Sequence, residues 1–124
     1  MWNKSKTMKV TKKFTFEAAH TIKGHITCGK VHGHSYKLEV TLEGPVIGGM
    51  VMDFKELKSL VKERVIDKLD HEYLDELGYF KISTAENISV WIWNQIYSGL
   101  AGNVHLSEIK LYETADSFAT YNGK

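Results

Sequence analysis

The first third of the chain alternates between apolar and polar residues, which is the two-residue period of a half-buried strand. The first such segment runs from Met8 to His20, and its apolar side consists of Val10, Phe14, Phe16 and Ala18. The second segment alternates more clearly, and its apolar positions are Tyr36, Leu38, Val40 and Leu42. These patterns predict two neighbouring strands followed by a turn-like loop over residues 44–49.

Two helices and two further strands are predicted in the rest of the chain. Asp53 and Glu56 form the sequence pattern of a helix-capping box, and apolar residues then recur at helical spacing at positions 54, 57, 60, 61, 65 and 69. A second helix is predicted to start near Ser83 or Thr84 and to run toward Gly99. The last two strands are predicted through positions 106–113 and 117–121. The order ββααββ predicts an α+β fold, with a four-stranded antiparallel sheet covered on one face by two helices.

Size and composition are those of one soluble globular domain spanning residues 1–124. The chain has 43% hydrophobic and 25% charged residues, and its net charge of +1 gives no reason to expect a nucleic-acid partner. No apolar run reaches the roughly 20 residues of a membrane span, and the lysine-rich start of the chain lacks an apolar signal core. A single cysteine suits a reducing compartment, so we expect a cytoplasmic protein with no membrane partner.

Candidate metal chemistry centres on His32 and His34, with His20 upstream. Residues two apart in a strand point to the same side, and pairing of the first two strands would bring His20 beside them. Three imidazoles suit Zn²⁺ and leave a fourth position open, as in catalytic zinc sites. The alternative is a solvated strand end with His20 at the edge of the core.

Four more residues could take part in chemistry. Cys28 could be a fourth ligand, a reactive thiolate or an inert thiol, and its flanking glycines favour an exposed loop. Asp70 and His71 could form an acid–base pair, although adjacent side chains rarely bond to each other, and a histidine that simply ends a helix is the alternative. Glu113 needs a partner if it is buried, or else it lies at an exposed strand end.

Six sequence blocks occur in one order and resemble a known family. They are FTFEAAH at 14–20, CGKVHGH at 28–34, GMVMDF at 49–54, LDHEYL at 69–74, STAEN at 83–87 and YET at 112–114. Together they resemble the 6-pyruvoyltetrahydropterin synthase / 6-carboxytetrahydropterin synthase family. The resemblance implies the tunnelling fold, in which the sheets of several subunits join into a barrel. It also implies a homo-oligomer, typically a hexamer built as a dimer of trimers, with substrate pockets between subunits.

The resemblance also implies a role for each matching residue. His20, His32 and His34 correspond to the zinc ligands, and Cys28 to a proton-abstracting thiolate. Asp70 and His71 correspond to the acid–base pair. Glu113 corresponds to the carboxylate that anchors the 2-amino and ring N–H groups of the pterin, whereas Thr84 and Glu86 line the pterin pocket.

The interval between Cys28 and His32 is similar to that of the bacterial carboxytetrahydropterin branch. This implies conversion of 7,8-dihydroneopterin triphosphate to 6-carboxy-5,6,7,8-tetrahydropterin, acetaldehyde and triphosphate in queuosine biosynthesis. The alternatives are a 6-pyruvoyltetrahydropterin synthase and a zinc-stabilised pterin-binding protein without activity. Lys23 and Lys30 are candidate partners of the triphosphate. The chain departs from the family in its Ile26-Thr27 spacer and in Asp75, where asparagine is frequent.

Overall fold

A long antiparallel strand pair forms the centre of the protein. The computed structural model describes residues 6–22 and 29–124. Strand β1 (Thr7–His20) pairs along its whole length with β2 (His32–Pro45), in a register that places Thr7 opposite Pro45 and His20 opposite His32. The predicted alternation is confirmed, because the apolar residues of both strands face the core side of the sheet, where those of β2, Phe16 and Ala18 are buried and Val10 and Phe14 are partly buried.

Two helical rods cover that side. The first consists of α1 (Phe54–Val61), a π-helical segment (Lys62–Ile66) and α2 (Asp67–Leu69), and the second is α3 (Ala85–Tyr97). Asp53 caps α1 by accepting a 2.8 Å hydrogen bond from the Lys55 amide. Thr84 caps α3 through its hydroxyl, which accepts from the Asn87 amide at 3.2 Å. Both predicted helix starts are therefore confirmed, and each depends on a side-chain oxygen that satisfies an exposed N–H group.

The sheet has five strands in the order β3-β1-β2-β4-β5. The predicted third and fourth strands are β4 (His105–Thr114) and β5 (Ser117–Tyr121), both antiparallel to their neighbours. The extra strand β3 (Glu72–Tyr73) pairs in parallel with Ala18 and Ala19 of β1, and a 3-10 turn (Leu74–Glu76) follows it. The sequence predicted four strands, whereas the described sheet has five. The additional strand, β3, was not predicted because two residues are too few to show an alternating pattern.

The core lies between the sheet and the helices. Its members from the helices and sheet are fully or almost fully buried; the largest include Phe16, Tyr36, Leu38, Leu42, Leu57, Leu69, Ile88, Ile92, Ile96 and Leu111. The buried face of β1 and β2 ends in His20 and His34, so polar ligating groups cap one end of an apolar layer. Within residues 6–22 and 29–124, no helix has the length and apolar character needed to cross a bilayer.

Candidate functional site

Three histidines meet at the end of the β1–β2 ladder. His20 lies directly opposite His32, and His34 lies opposite Ala18 on the same face. The ring centroids are 4.6 Å apart for His20 and His32, 4.9 Å for His32 and His34, and 5.1 Å for His20 and His34. One nitrogen from each ring lies within 4.8 Å of the others. The predicted convergence of these residues is confirmed, and strand register is its cause.

Hydrogen bonds select which nitrogen two of the rings present. His20 Nδ1 lies 2.7 Å from the Ser83 carbonyl oxygen, and His32 Nδ1 lies 2.7 Å from the Lys30 carbonyl oxygen. A carbonyl oxygen can only accept, so each Nδ1 carries the proton and donates it. In the neutral ring Nε2 is then left with a free lone pair. This is the tautomer that a histidine needs to bind a metal through Nε2.

The unsatisfied polar atoms lie at the same place. Among the described residues, the buried side-chain atoms without a hydrogen-bond partner are His20 Nε2, His34 Nε2 and the Tyr36 hydroxyl. Buried polar atoms usually have a partner, and two buried ring nitrogens without one, beside the Nε2 of His32, suit a cation. Three imidazole nitrogens fit Zn²⁺ and other transition metals better than Mg²⁺ or Ca²⁺, which prefer oxygen. The residues present therefore fit the zinc ion that the sequence predicts.

The surroundings of His34 favour its neutral form. Burial is the main cause that lowers the pKa of His34 below 6.5, and the nearby rings of His20 and His32 lower it further. Glu113 opposes this effect, but the pKa remains lowered. Burial also raises the pKa of Tyr36, and the carboxylates of Glu113 and Asp75 reinforce that shift. At neutral pH His34 is therefore uncharged, and Tyr36 keeps its proton.

Glu113, near the end of β4, faces the histidines. One carboxylate oxygen lies 3.4 Å from His34 Nε2, and the other lies 4.0 Å from His20 Nε2. The side chain is 24% exposed, so it is neither fully buried nor at a solvated strand end. The carboxylate lies close to the position that a cation would occupy. Glu113 also lines two neighbouring clefts.

Asp70 and His71 form a direct pair. Asp70 Oδ2 lies 3.0 Å from His71 Nδ1, a contact that adjacent side chains rarely make. The reason is the backbone, because His71 has a φ of 63° in the left-handed region and turns its ring back toward its neighbour. The Asp70 carboxylate also accepts a 2.9 Å hydrogen bond from the Glu17 amide, and the His71 amide donates to the Glu17 carbonyl at 2.5 Å.

A cleft joins this pair to the end of the sheet that carries the three histidines. It has a volume of about 560 Å³, and both His71 and His34 line it, together with parts of β1 and β3. His71 is 79% exposed, so its ring is free to exchange protons with a ligand. A proton donor or acceptor and a candidate metal ligand thus face one open space.

Two of the three predicted pterin-pocket residues, Glu86 and Glu113, line one cleft, and Thr84 is not among its lining residues. Glu86 is in the first turn of α3, and it lines a cleft of about 430 Å³ together with Glu113. The Thr84 hydroxyl is used as the helix cap. Two carboxylates in one cleft offer acceptors for a ligand that carries several N–H groups.

Two candidate residues lie outside the described residues, namely Cys28 and Lys23. Lys30 is exposed, and its carbonyl orients His32. Sequence reasoning missed Tyr36 and Ser83 as members of the site. Tyr36 follows His34 by two residues and so shares its face, which was an available signal. No local signal pointed to Ser83, because its contact with His20 spans 63 positions.

Comparison with known proteins identifies the family. Residues 9–124 match the family described as 6-pyruvoyl tetrahydropterin synthase. The chain belongs to this family. A 6-pyruvoyl tetrahydrobiopterin synthase of Dictyostelium discoideum is 35% identical, over 97% of this chain and 99% of that protein. A 6-carboxy-5,6,7,8-tetrahydropterin synthase of Haemophilus influenzae is 32% identical, over 91% of this chain and 97% of that protein.

A solved structure agrees with the family assignment. The 6-pyruvoyl tetrahydropterin synthase of Caenorhabditis elegans superposes with a TM-score of 0.84 at 26% identity, covering 99% of this chain and 100% of that chain. The α+β tunnelling fold expected from the resemblance is therefore confirmed for the single chain. All three proteins named here are synthases, so the comparisons support an enzyme. Their names specify two different products, a 6-pyruvoyl and a 6-carboxy tetrahydropterin.

Proposed function

We propose that the protein is a zinc-dependent lyase that acts on 7,8-dihydroneopterin triphosphate. In this proposal it forms 6-carboxy-5,6,7,8-tetrahydropterin, acetaldehyde and triphosphate, as a step of queuosine biosynthesis in the cytoplasm. The observation that carries the proposal is the convergence of His20, His32 and His34 beside the Asp70–His71 pair, with the Nε2 lone pairs of His20 and His32 left free by their Nδ1 hydrogen bonds.

The triad would hold zinc and keep a coordination position open to the substrate. Bound there, zinc would act as a Lewis acid on the hydroxyl groups of the substrate side chain and make the neighbouring C–H bonds more acidic. Ser83 and Lys30 keep His20 and His32 in the required tautomer through their carbonyl oxygens. The low pKa of His34 keeps the third ligand uncharged at neutral pH.

Proton transfer would be divided between Cys28 and His71. Cys28, as a thiolate, would remove a proton from the side chain, and His71 would return one. Asp70 supports the second role, because its contact with His71 Nδ1 orients a ring that lines the cleft. Hydrogens would thereby move along the side chain, and triphosphate would be lost. The pterin ring would be reduced while the side chain is oxidised.

Recognition of the pterin would fall to the carboxylates of a second cleft beside the triad. Glu113 is proposed to accept from the 2-amino and ring N–H groups, with Glu86 and Thr84 lining the same pocket. The shared cleft of Glu86 and Glu113 supports this assignment. The triphosphate needs cations, for which Lys23 and Lys30 remain the candidates.

The choice between the two products depends on one further bond cleavage. Loss of triphosphate with internal hydrogen transfer gives a pyruvoyl side chain, in which two carbonyl carbons are adjacent. Adding one water and breaking the bond between these carbons gives a carboxyl group on the pterin and acetaldehyde. The interval from Cys28 to His32 supports the carboxy product, whereas the 6-pyruvoyltetrahydropterin product is the alternative.

Incubation with 7,8-dihydroneopterin triphosphate, followed by mass spectrometry, tests the proposal. The expected products are 6-carboxytetrahydropterin and acetaldehyde in equal amounts. A pyruvoyl product without acetaldehyde would establish the alternative. Binding of the pterin with no change in its absorbance over hours would instead indicate a zinc-stabilised binding protein, which would have no use for the Asp70–His71 pair.

The active form is proposed to be a homo-oligomer, as a hexamer of two trimers. Two sheet edges support association, because β3 pairs only with Ala18 and Ala19, and β5 forms the other edge of the described sheet. The clefts beside His34 and Glu113 are open in the single chain. A neighbouring subunit could close them and add residues to the pocket. Sedimentation at several protein concentrations measures the oligomeric state, and a monomer with full activity would contradict this part of the proposal.

A further inference from the structure

A chain of hydrogen bonds runs from the back of His20 to Asp75. His20 Nδ1 donates to the Ser83 carbonyl at 2.7 Å, and the Ser83 hydroxyl donates to Asp75 Oδ1 at 2.5 Å. His20 and Ser83 are buried, with 0% and 2% exposure. The orientation of the His20 ring therefore depends on the placement of one backbone carbonyl, and the side chain of the same residue is held by Asp75.

Asp75 also holds the residue that follows His20. Its Oδ1 accepts from the Thr21 amide at 3.3 Å, and the Tyr73 hydroxyl lies 3.5 Å from Oδ2 and 2.9 Å from the Thr21 hydroxyl. The Ser83 hydroxyl lies 3.4 Å from the Thr21 carbonyl oxygen. One carboxylate thus joins the end of β1, which carries His20, to the segment before α3, which orients the ring.

We propose that Asp75 is a positioning residue of the metal site. It fixes the Ser83 carbonyl against His20 Nδ1, and this fixes the direction of Nε2 toward His32 and His34. The inference rests on the proposed zinc site. Groups that orient a metal ligand in this way typically change metal affinity by about 10- to 100-fold when they are removed. An asparagine at this position would also have an acceptor oxygen for Ser83 and Thr21.

Zinc affinity of the full chain, measured by competition with a chromophoric chelator, tests the role of Asp75. Asp75→Ala is expected to weaken zinc binding about 10-fold, whereas Asp75→Asn is expected to bind zinc as the wild type does. Glu76→Ala is the matched control, because it removes an exposed carboxylate from the same 3-10 turn. Urea unfolding of the metal-free variants is measured in parallel. A loss of stability in Asp75→Ala with unchanged zinc affinity would reduce Asp75 to a structural brace and overturn the proposal.

Ser83→Ala keeps the test decisive if Asp75→Ala fails to fold. This change removes only the hydroxyl donor and keeps the carbonyl that faces His20. We expect weaker zinc binding in Ser83→Ala, and no further weakening when Asp75→Ala is added, because both changes break the same connection. Additive losses, or an Asp75→Asn variant as weak as Asp75→Ala, would contradict positioning through Ser83.

A metal-free readout separates this inference from the proposed function. In the apo-protein, the Nδ1 proton of His20 should give a protected NMR signal that broadens or shifts in Asp75→Ala and persists in Asp75→Asn. If the wild type fails to bind zinc, the proposed function is wrong, and the NMR comparison still decides whether Asp75 orients the ring. An unchanged signal in Asp75→Ala would overturn the inference itself.

Discussion

His20 and His32 are direct cross-strand partners, and their ring centroids lie 4.6 Å apart at the end of the β1–β2 ladder. An antiparallel register decides which side chains oppose each other. A one-residue slip would place Gly33 opposite His20 and would separate the triad. The geometry of the candidate metal site is therefore maintained by the long strand pairing, whose register the buried apolar rows fix.

Replacing His32 with alanine should abolish zinc binding and turnover together, since two imidazoles hold zinc far less firmly than three. Zinc content by elemental analysis and product formation are measured on the same sample. His105→Ala is the control, because this exposed histidine lies at the opposite end of β4. Stoichiometric zinc in His32→Ala would exclude His32 as a ligand.

Replacing Cys28 with alanine should leave zinc content near that of the wild type and abolish turnover. The reason is that the proposal makes this thiolate a base and leaves the metal to the three histidines. The same elemental analysis and product assay apply. Loss of zinc in this variant would make Cys28 a fourth ligand, and the proposed division of proton transfer would fail.

Acid should destabilise the metal-free protein through His34. Its pKa is lowered in the folded state from 6.5, so the unfolded chain binds more protons between the two pKa values. The contribution to stability is complete above pH 6.5 and is lost as the pH falls toward the lowered value. Urea unfolding midpoints of the apo-protein should decrease over this range, with a shallower decrease in His34→Gln. A midpoint that rises on acidification would contradict the assignment.

Replacing Tyr36 with phenylalanine should stabilise the metal-free protein by about 1 kcal/mol. The hydroxyl is buried without a partner among the described residues, whereas the ring stacks on Phe16 at 4.9 Å, a contact that phenylalanine retains. Urea unfolding measures the change, with Tyr97→Phe as the exposed control. A loss of stability of similar size would show that the hydroxyl has a partner in solution.

At position 71, glycine should be more stable than alanine by about 1 kcal/mol, because the φ of 63° is unfavourable for a side chain with a Cβ atom. Both variants should lose turnover by about 100-fold or more, because neither can transfer a proton. Unfolding and product assays of the two variants separate backbone strain from chemistry. An alanine variant as stable as the glycine variant would mean that the backbone relaxes, and full activity in either would exclude His71 as the acid–base group.

Much of the fold follows from short-range pattern, because strand alternation and capping residues act locally. The alternation over β1 and β2 predicted both strands and the common face of His32 and His34. Asp53 and Thr84 predicted the helix starts because a capping side chain bonds to the backbone only two or three residues away. The strand β3 could not be predicted, since it depends on a tertiary pairing of two residues with the end of β1.

The parts of the site that escaped prediction depend on backbone geometry or on distant contacts. The Asp70–His71 contact requires the left-handed backbone of His71, which no residue pattern specified. The link from His20 through Ser83 to Asp75 joins segments far apart in the chain. Sequence alone identified Asp75 only as a departure from the usual asparagine, without the contacts that give it meaning.

Strand β1 positions both the Asp70–His71 pair and His20. Glu17 anchors the Asp70–His71 pair through its backbone, and His20 follows three residues later on the same strand. That separation spans about 10 Å of extended backbone. Because Asp70 and His71 are hydrogen-bonded to the same strand that carries His20, the spacing between the two groups depends on β1 and not only on the packing of the helices.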